Sequence, residues 1–180
     1  MGDAAGISPE LAARMLVDPA VREVADLTVI GDRRILDGGA RAAGVVVDDL
    51  DTLGIDPATG IGDGVALRRP MTDRPLLLDL QHGDPDRIPV GQVSAESGRF
   101  ATENFRCALR MAAAGQADGV CFTPFNKAAM RLITPGYDDE IGFAVGVIGF
   151  DGDAREFNVL EGLWNARVTS HRSEERRVGK

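Results

Sequence analysis

The chain has 180 residues, 44% of them hydrophobic and 27% charged, enough for one domain with a core of its own. Twenty basic residues against 28 acidic ones leave a formal charge of −8, which argues against nucleic acid or an anionic membrane as the main partner. No apolar run approaches the ~20 residues that span a bilayer and no basic-then-apolar leader precedes the first motif, so a cytoplasmic location is expected.

Gly2 to Gly6 forms a glycine-rich turn, and Ser8, Pro9 and Glu10 read as a helix start with Ser8 as the cap. A turn that leads into a helix aims backbone N–H groups at an anion or substrate; an ordinary helix cap is the plainer alternative. Leu27 to Gly31 reads as a buried strand, followed by a helix over Asp32 to Ala43 with a weak middle at Gly38 and Gly39. Gly44 to Val47 is expected to form a further strand, ending in an acidic turn at Asp48, Asp49 and Asp51. Gly60, Gly62 and Gly64 lack the third spaced glycine of a dinucleotide fingerprint, and they read as loop.

Pro75 to Leu80 is a continuous apolar run suited to a strand buried on both faces. His82 follows among Gly83, Asp84 and Pro85 and reads as a turn residue. From Ser97 onward the spacing of Ala101, Phe105, Ala108, Leu109 and Ala112 predicts a helix with one apolar stripe, closed by Gly115. Cys107 falls in this helix and Cys121 in the strand predicted next; with neither metal-site nor redox spacing, both read as inert core thiols.

Gly119 to Phe122 is a short apolar run that stops at Thr123-Pro124, so it reads as a buried strand ending in a loop. Asn126 can cap a short helix over Lys127 to Leu132, which Pro135-Gly136 ends before Asp138, Asp139 and Glu140. A lysine and two or three carboxylates thus sit just past the carboxyl end of a strand, where open α/β sheets bind ligands. Asp139 to Ile148 reads as an apolar helix ended by Gly149, and Glu156 to Leu160 and Ala166 to Ser170 as late strands. Short strands alternating with longer helices indicate an α/β layered fold with a largely parallel sheet.

Four stretches carry a resemblance to a known family. Thr123-Pro-Phe-Asn-Lys127 with Pro135-Gly136 and Glu140 resembles the T-x-P-x-x-K … G-H-T-E region of the 4-hydroxythreonine-4-phosphate dehydrogenase family of pyridoxine biosynthesis. MGDAAGISPE at the start resembles its M-G-D-P-A-G-I-G-P-E opening, GQVSAESG from Gly91 to Gly98 its G-x-x-S-x-x-S/N-G segment, and Val168-Thr-Ser-His171 its V-T-T-H. The resemblance implies an isocitrate/isopropylmalate dehydrogenase-like fold with two lobes, incomplete here, in which residues 1 to 171 are the N-terminal part of the enzyme.

It further implies oxidation of the secondary alcohol of a small, phosphorylated hydroxy acid with NAD or NADP and a divalent metal (Zn, Mg, Mn or Co), followed by loss of the carboxylate, in a homodimer. By resemblance His171 is one of three metal ligands, and Lys127, Asp138, Asp139 and Asp3 are the candidate substrate contacts; a salt bridge to the acidic cluster is the plainer role for Lys127. Here the chain departs from the family, because YDDE (Tyr137 to Glu140) stands in place of G-H-T-E, as in a divergent branch. Carboxylates replace a neutral pair, which puts the phosphate group of the substrate in doubt. The family opening follows a strand that this chain lacks, and the fragment is expected to be inactive by itself. Residues 172 to 180, polar and aperiodic, are expected to be a non-native tail. A non-catalytic small-molecule-binding relative is the alternative function.

Overall fold

The computed structural model describes residues 1–55 and 73–166. Helix α1 (Ser8–Val17) and the short α2 (Pro19–Val24) lead into β1 (Thr28–Gly31), α3 (Arg33–Ala43) and β2 (Asp51–Gly54). Strand β3 (Leu76–Asp79), a single 3-10 turn at Pro85–Arg87, and the long α4 (Ala95–Ala113) follow. Then come α5 (Lys127–Ile133), α6 (Glu140–Ile148) and the hairpin β4 (Phe157–Leu160) and β5 (Leu163–Ala166).

The three-stranded sheet has the order β1-β3-β2 and is parallel throughout, with Thr28 and Asp51 both opposite Leu76. Its centre is the apolar run predicted to be buried on both faces. Leu77 packs with Ala13, Leu16, Leu36 and Ala40 of α1 and α3, while Leu78 packs with Cys107 and Met111 of α4. Alternate side chains point to opposite faces of a strand, so a sheet covered by helices on both sides requires continuous hydrophobicity at its centre. Gly39 turns out to be a packing residue rather than a weakness. A Cβ there would collide with Pro9, so this glycine lets α3 approach α1.

Several boundaries differ from the sequence expectation. Gly44 to Val47 forms no strand, because Gly44 in the left-handed region ends α3 and Val45 N–H donates to the Ala40 carbonyl at 3.0 Å. The chain reaches the sheet only at Asp51, in residues expected to be an acidic turn. An edge strand tolerates that charge, and Arg74 pairs with Asp51 at 3.2 Å. Helix α4 begins at Ala95 with Ser94 as its cap, the Ser97 N–H donating to Ser94 Oγ at 3.1 Å. The last described strand is Leu163–Ala166, antiparallel to β4; the strand expected from Ala166 to Ser170 has its last four residues outside the described range.

The strand expected over Gly119 to Phe122 is also not formed: these residues carry no ladder, and Cys121 and Phe122 are exposed. They and residues Thr28 to Ile30 of β1 line one groove of about 640 Å³. Local β preference does not make a strand where a groove stands in place of the hydrogen-bonding neighbour. Cys121 is therefore not a core thiol, whereas Cys107 is buried and its thiol is pushed up to about 12 by desolvation. His82 lies inside rather than on a turn, its ring stacked on Phe100 with centroids 4.9 Å apart. The candidate ligand His171, the Gly60 to Gly64 loop and the tail from residue 172 lie outside the described residues.

Candidate functional site

Three of the four motif stretches meet through backbone contacts. The opening turn is tied to the 123–127 loop by the Asp3 N–H donating to the Pro124 carbonyl at 2.9 Å, and to the third stretch by the Gly91 N–H donating to the Ala5 carbonyl at 2.7 Å. Gly98, at the end of that stretch, lies so close to the Ala129 carbonyl that a Cβ would collide with it, which brings α4 against α5. Gly2 is held in the same way, with the carbonyls of Thr123 and Pro124 where a Cβ would stand. Glycine is required at both positions because backbone meets backbone there.

Ser8 does not cap α1. The cap position is Ile7, and the Ser8 hydroxyl instead accepts the Gly2 N–H at 2.8 Å and pairs with the Thr123 hydroxyl. The Gly2 N–H is shared with Thr123 Oγ1 at 3.0 Å. This buried serine spends its oxygen on locking the opening turn to the loop that leads to Lys127. Asp3 is buried within the turn, where its carboxylate accepts the Ala5 N–H at 3.0 Å and braces the loop from inside.

The predicted cap at Asn126 is present, with Oδ1 accepting the Ala129 N–H at 3.2 Å, so Lys127 is the first residue of α5. Its ammonium stands 3.3 Å from Glu140 Oε2 and donates to the Asp138 carbonyl at 3.4 Å. The salt bridge held open as the plainer role for Lys127 is therefore formed. Asp139 caps α6 by accepting the Gly142 N–H at 2.7 Å, and Asp138 is exposed. Lys127 and the acidic cluster are thus brought together, and Asp3 is linked to them through Pro124.

Sequence reasoning missed three polar groups near this site. Tyr137 is buried against Ala101 and Met130, and its phenol is pushed above its usual range by burial first and then by the facing Glu140 carboxylate. Asn104 donates to the Met1 carbonyl at 3.0 Å across 103 positions of the sequence. Asp32 is buried just past the end of β1, where its side chain caps α3 and accepts the Gly83 N–H at 2.9 Å. Desolvation would raise its carboxyl, yet the Arg34 guanidinium and the Gly83 and Arg34 amides outweigh this and hold it below the usual carboxylate range. A polar residue inside an apolar helical stripe, as at Asn104, was the one available signal. Among the described residues no three His, Cys, Asp or Glu side chains converge as a metal would require, and no helix is long and apolar enough to cross a membrane.

The chain matches the profile of the family described as "Pyridoxal phosphate biosynthetic protein PdxA" over residues 23–176. It is 54% identical over 171 residues to a Rhizobium meliloti (strain 1021) protein named "Putative 4-hydroxythreonine-4-phosphate dehydrogenase 2", covering 95% of this chain and 46% of the relative. It is 31% identical over 156 residues to the D-threonate 4-phosphate dehydrogenase of Bordetella bronchiseptica (strain ATCC BAA-588 / NCTC 13252 / RB50), covering 83% of this chain and 41% of that protein. In three dimensions it resembles the crystal structure of a 4-hydroxythreonine-4-phosphate dehydrogenase from Burkholderia phymatum. The TM-score is 0.75 at 26% identity, over 96% of this chain and 49% of that one. The chain spans about half the length of the curated relatives it matches.

Proposed function

Because the chain belongs to the PdxA family, we propose that it supplies one part of a dehydrogenase that oxidises the secondary alcohol of a small hydroxy acid with NAD or NADP, acting as a homodimer in the cytoplasm. The observation that carries this reading is the meeting of the opening turn, the Gly91–Gly98 stretch and the Lys127 loop through Asp3–Pro124, Ala5–Gly91 and Gly98–Ala129. Residues far apart in the chain are spent on fixing one loop cluster, which is how a scaffold holds a binding site to a defined geometry.

Within that cluster Lys127 binds an anionic group of the substrate. Asp138 and Asp139 set which anion is accepted. At about 5 Å and an effective dielectric of ~20, each carboxylate costs a phosphate charge about 3 kcal/mol, roughly a hundredfold in affinity. The site therefore favours a hydroxy acid that presents hydroxyls or an amine, rather than phosphate, to Asp138. A divalent metal, with His171 as one ligand, would stabilise negative charge while hydride leaves and while the keto acid loses its carboxylate. The described residues offer no ligand set for it.

The test is nicotinamide reduction by a polypeptide carrying this chain at the length of its relatives, across hydroxy acids with and without phosphate and with Mg, Mn, Co or Zn. Metal-dependent reduction is expected, with unphosphorylated substrates preferred and Asp138→Asn shifting the preference toward phosphorylated ones. Saturable ligand binding without reduction under any condition would replace this reading with a non-catalytic small-molecule-binding relative.

A further inference from the structure

Strand β1 is an edge of the parallel sheet: β3 pairs with one side of it, and among the described residues no strand pairs with the other. The free side borders the groove of about 640 Å³, whose far rim is Gly119 to Phe122. Helices from both faces of the sheet close this groove, Met15 of α1 on one side and Met111 of α4 on the other, so it lies in the layer of the sheet itself. Alternate residues of a parallel ladder turn their N–H and C=O to the same side. The Leu27 and Gly31 carbonyls accept from β3 and its extension, so Thr28 and Ile30 direct their peptide groups into the groove. An edge with apolar cover above and below is a template for one more strand.

The chain already begins that strand. The Met1 nitrogen donates to the Ile30 carbonyl at 2.7 Å, Asn104 Nδ2 holds the Met1 carbonyl at 3.0 Å, and the Gly2 N–H turns to the other rim, where Thr123 Oγ1 accepts it at 3.0 Å. Successive nitrogens thus serve opposite rims, as in a strand with a neighbour on each side. Burial pushes the pKa of the Met1 amine down to about 5, so the place suits a neutral peptide N–H better than an ammonium. We propose that the groove is the seat of a further parallel strand, an extended apolar segment joined to the Met1 nitrogen and hydrogen-bonded to β1 on one side and to Gly119–Phe122 on the other.

The direction follows from the two ends. Met1 stands at Ile30, near the carboxyl end of β1, and Gly2 and Asp3 continue to Thr123 and Pro124, so residues before Met1 run alongside Thr28 and parallel to β1. At ~3.3 Å per residue, about four of them reach the start of β1. The second residue upstream of Met1 then donates to the Thr28 carbonyl and accepts the Ile30 N–H. Cover on both faces calls for apolar side chains at every position. The strand would bury Phe122, now 51% exposed, and give Gly119–Phe122 the ladder partner that their composition suits. Those residues lead directly into Thr123 and the Lys127 loop, so the strand steadies that loop whatever reaction the site performs.

The experiment needs no turnover. The 180-residue chain is compared with three versions extended immediately before Met1: by Val-Ile-Ala-Val, by Val-Ile-Pro-Val, which lacks the donor to Thr28, and by Gly-Ser-Gly-Ser. The first should slow amide exchange about tenfold or more at Ile30 and at one or more of Val120, Cys121 and Phe122, raise the melting midpoint by about 5 °C and displace an apolar dye from the groove. The proline and glycine-serine versions should do neither. Equal protection in the proline version, protection at Ile30 without any at residues 120–122, or undiminished dye binding in the Val-Ile-Ala-Val version each overturns the proposal. Protection that appears in the unextended chain only as its concentration rises assigns the groove to a second copy and overturns it too. Should the unextended chain fail to fold, the Val-Ile-Ala-Val version is still expected to fold and the proline version to fail, and failure of both refutes the strand.

Discussion

In a polypeptide that starts at Met1, the α-amine is buried and donates to the Ile30 carbonyl at 2.7 Å, and desolvation pulls its pKa from 8.0 down to about 5, with Cys107 opposing. A group whose folded pKa lies below its unfolded value is protonated first in the unfolded chain. The stability conferred by the neutral amine is therefore complete above pH 8 and is lost as pH falls through 8 toward 5. A displacement of three units at ~1.4 kcal/mol each amounts to about 4 kcal/mol by pH 5, a large fraction of the ~5–15 kcal/mol that holds a domain together. Acetylating Met1, a residue that lines the adjoining groove, removes the titration but keeps an N–H for Ile30. Urea denaturation of the free and acetylated chains from pH 8.5 to 5 should show a stability difference that widens by about 4 kcal/mol toward acid. His82 and the carboxylates titrate alike in both chains and cancel. Parallel curves would refute the reasoning, because an amine that stays solvated cannot couple folding to pH in this window.

Two glycine substitutions should move stability in opposite directions. Gly98→Ala drives a methyl group into the Ala129 carbonyl and should cost about 1–3 kcal/mol in urea unfolding, whereas Gly146→Ala in α6, with open space around it, should gain about 0.5–1 kcal/mol; equal midpoints would contradict the close approach of α4 and α5. For His82, burial lowers the imidazole pKa, only partly offset by Asp32 and the Phe100 backbone, and both ring nitrogens are buried. Its contribution to stability is lost as pH falls through 6.5, so His82→Phe, which keeps the stack on Phe100, should flatten the stability curve between pH 7 and 5; an unchanged slope would show the ring to be solvated.

Much of this molecule was legible from local sequence. The apolar run Pro75 to Leu80, the Leu27 to Gly31 strand, the stripe of α4 and the caps at Asn126, Gly115 and Gly149 depend on near neighbours and on periodicity, and each appears where expected. The motif stretches likewise marked the loops that come together, because glycine and serine at close backbone contacts leave a readable pattern.

What the tertiary structure alone decided concerns partners distant in sequence. Gly119 to Phe122 has strand composition but no ladder, since pairing depends on what occupies the space beside it, and Asp51 to Gly54 has turn composition but joins the sheet because β3 offers an edge. Ser8 was placed as a helix cap from its neighbours, yet its hydroxyl serves Gly2 and Thr123. Tyr137 looked like a substitution in a polar motif, and it proved to be a buried ring whose hydroxyl faces Glu140. Composition and spacing determine which conformations a segment can adopt. Which of them it adopts, and what each polar atom then binds, is set by tertiary neighbours, as far as 121 residues away for Gly2 and Thr123, through hydrogen bonds and exclusion of water.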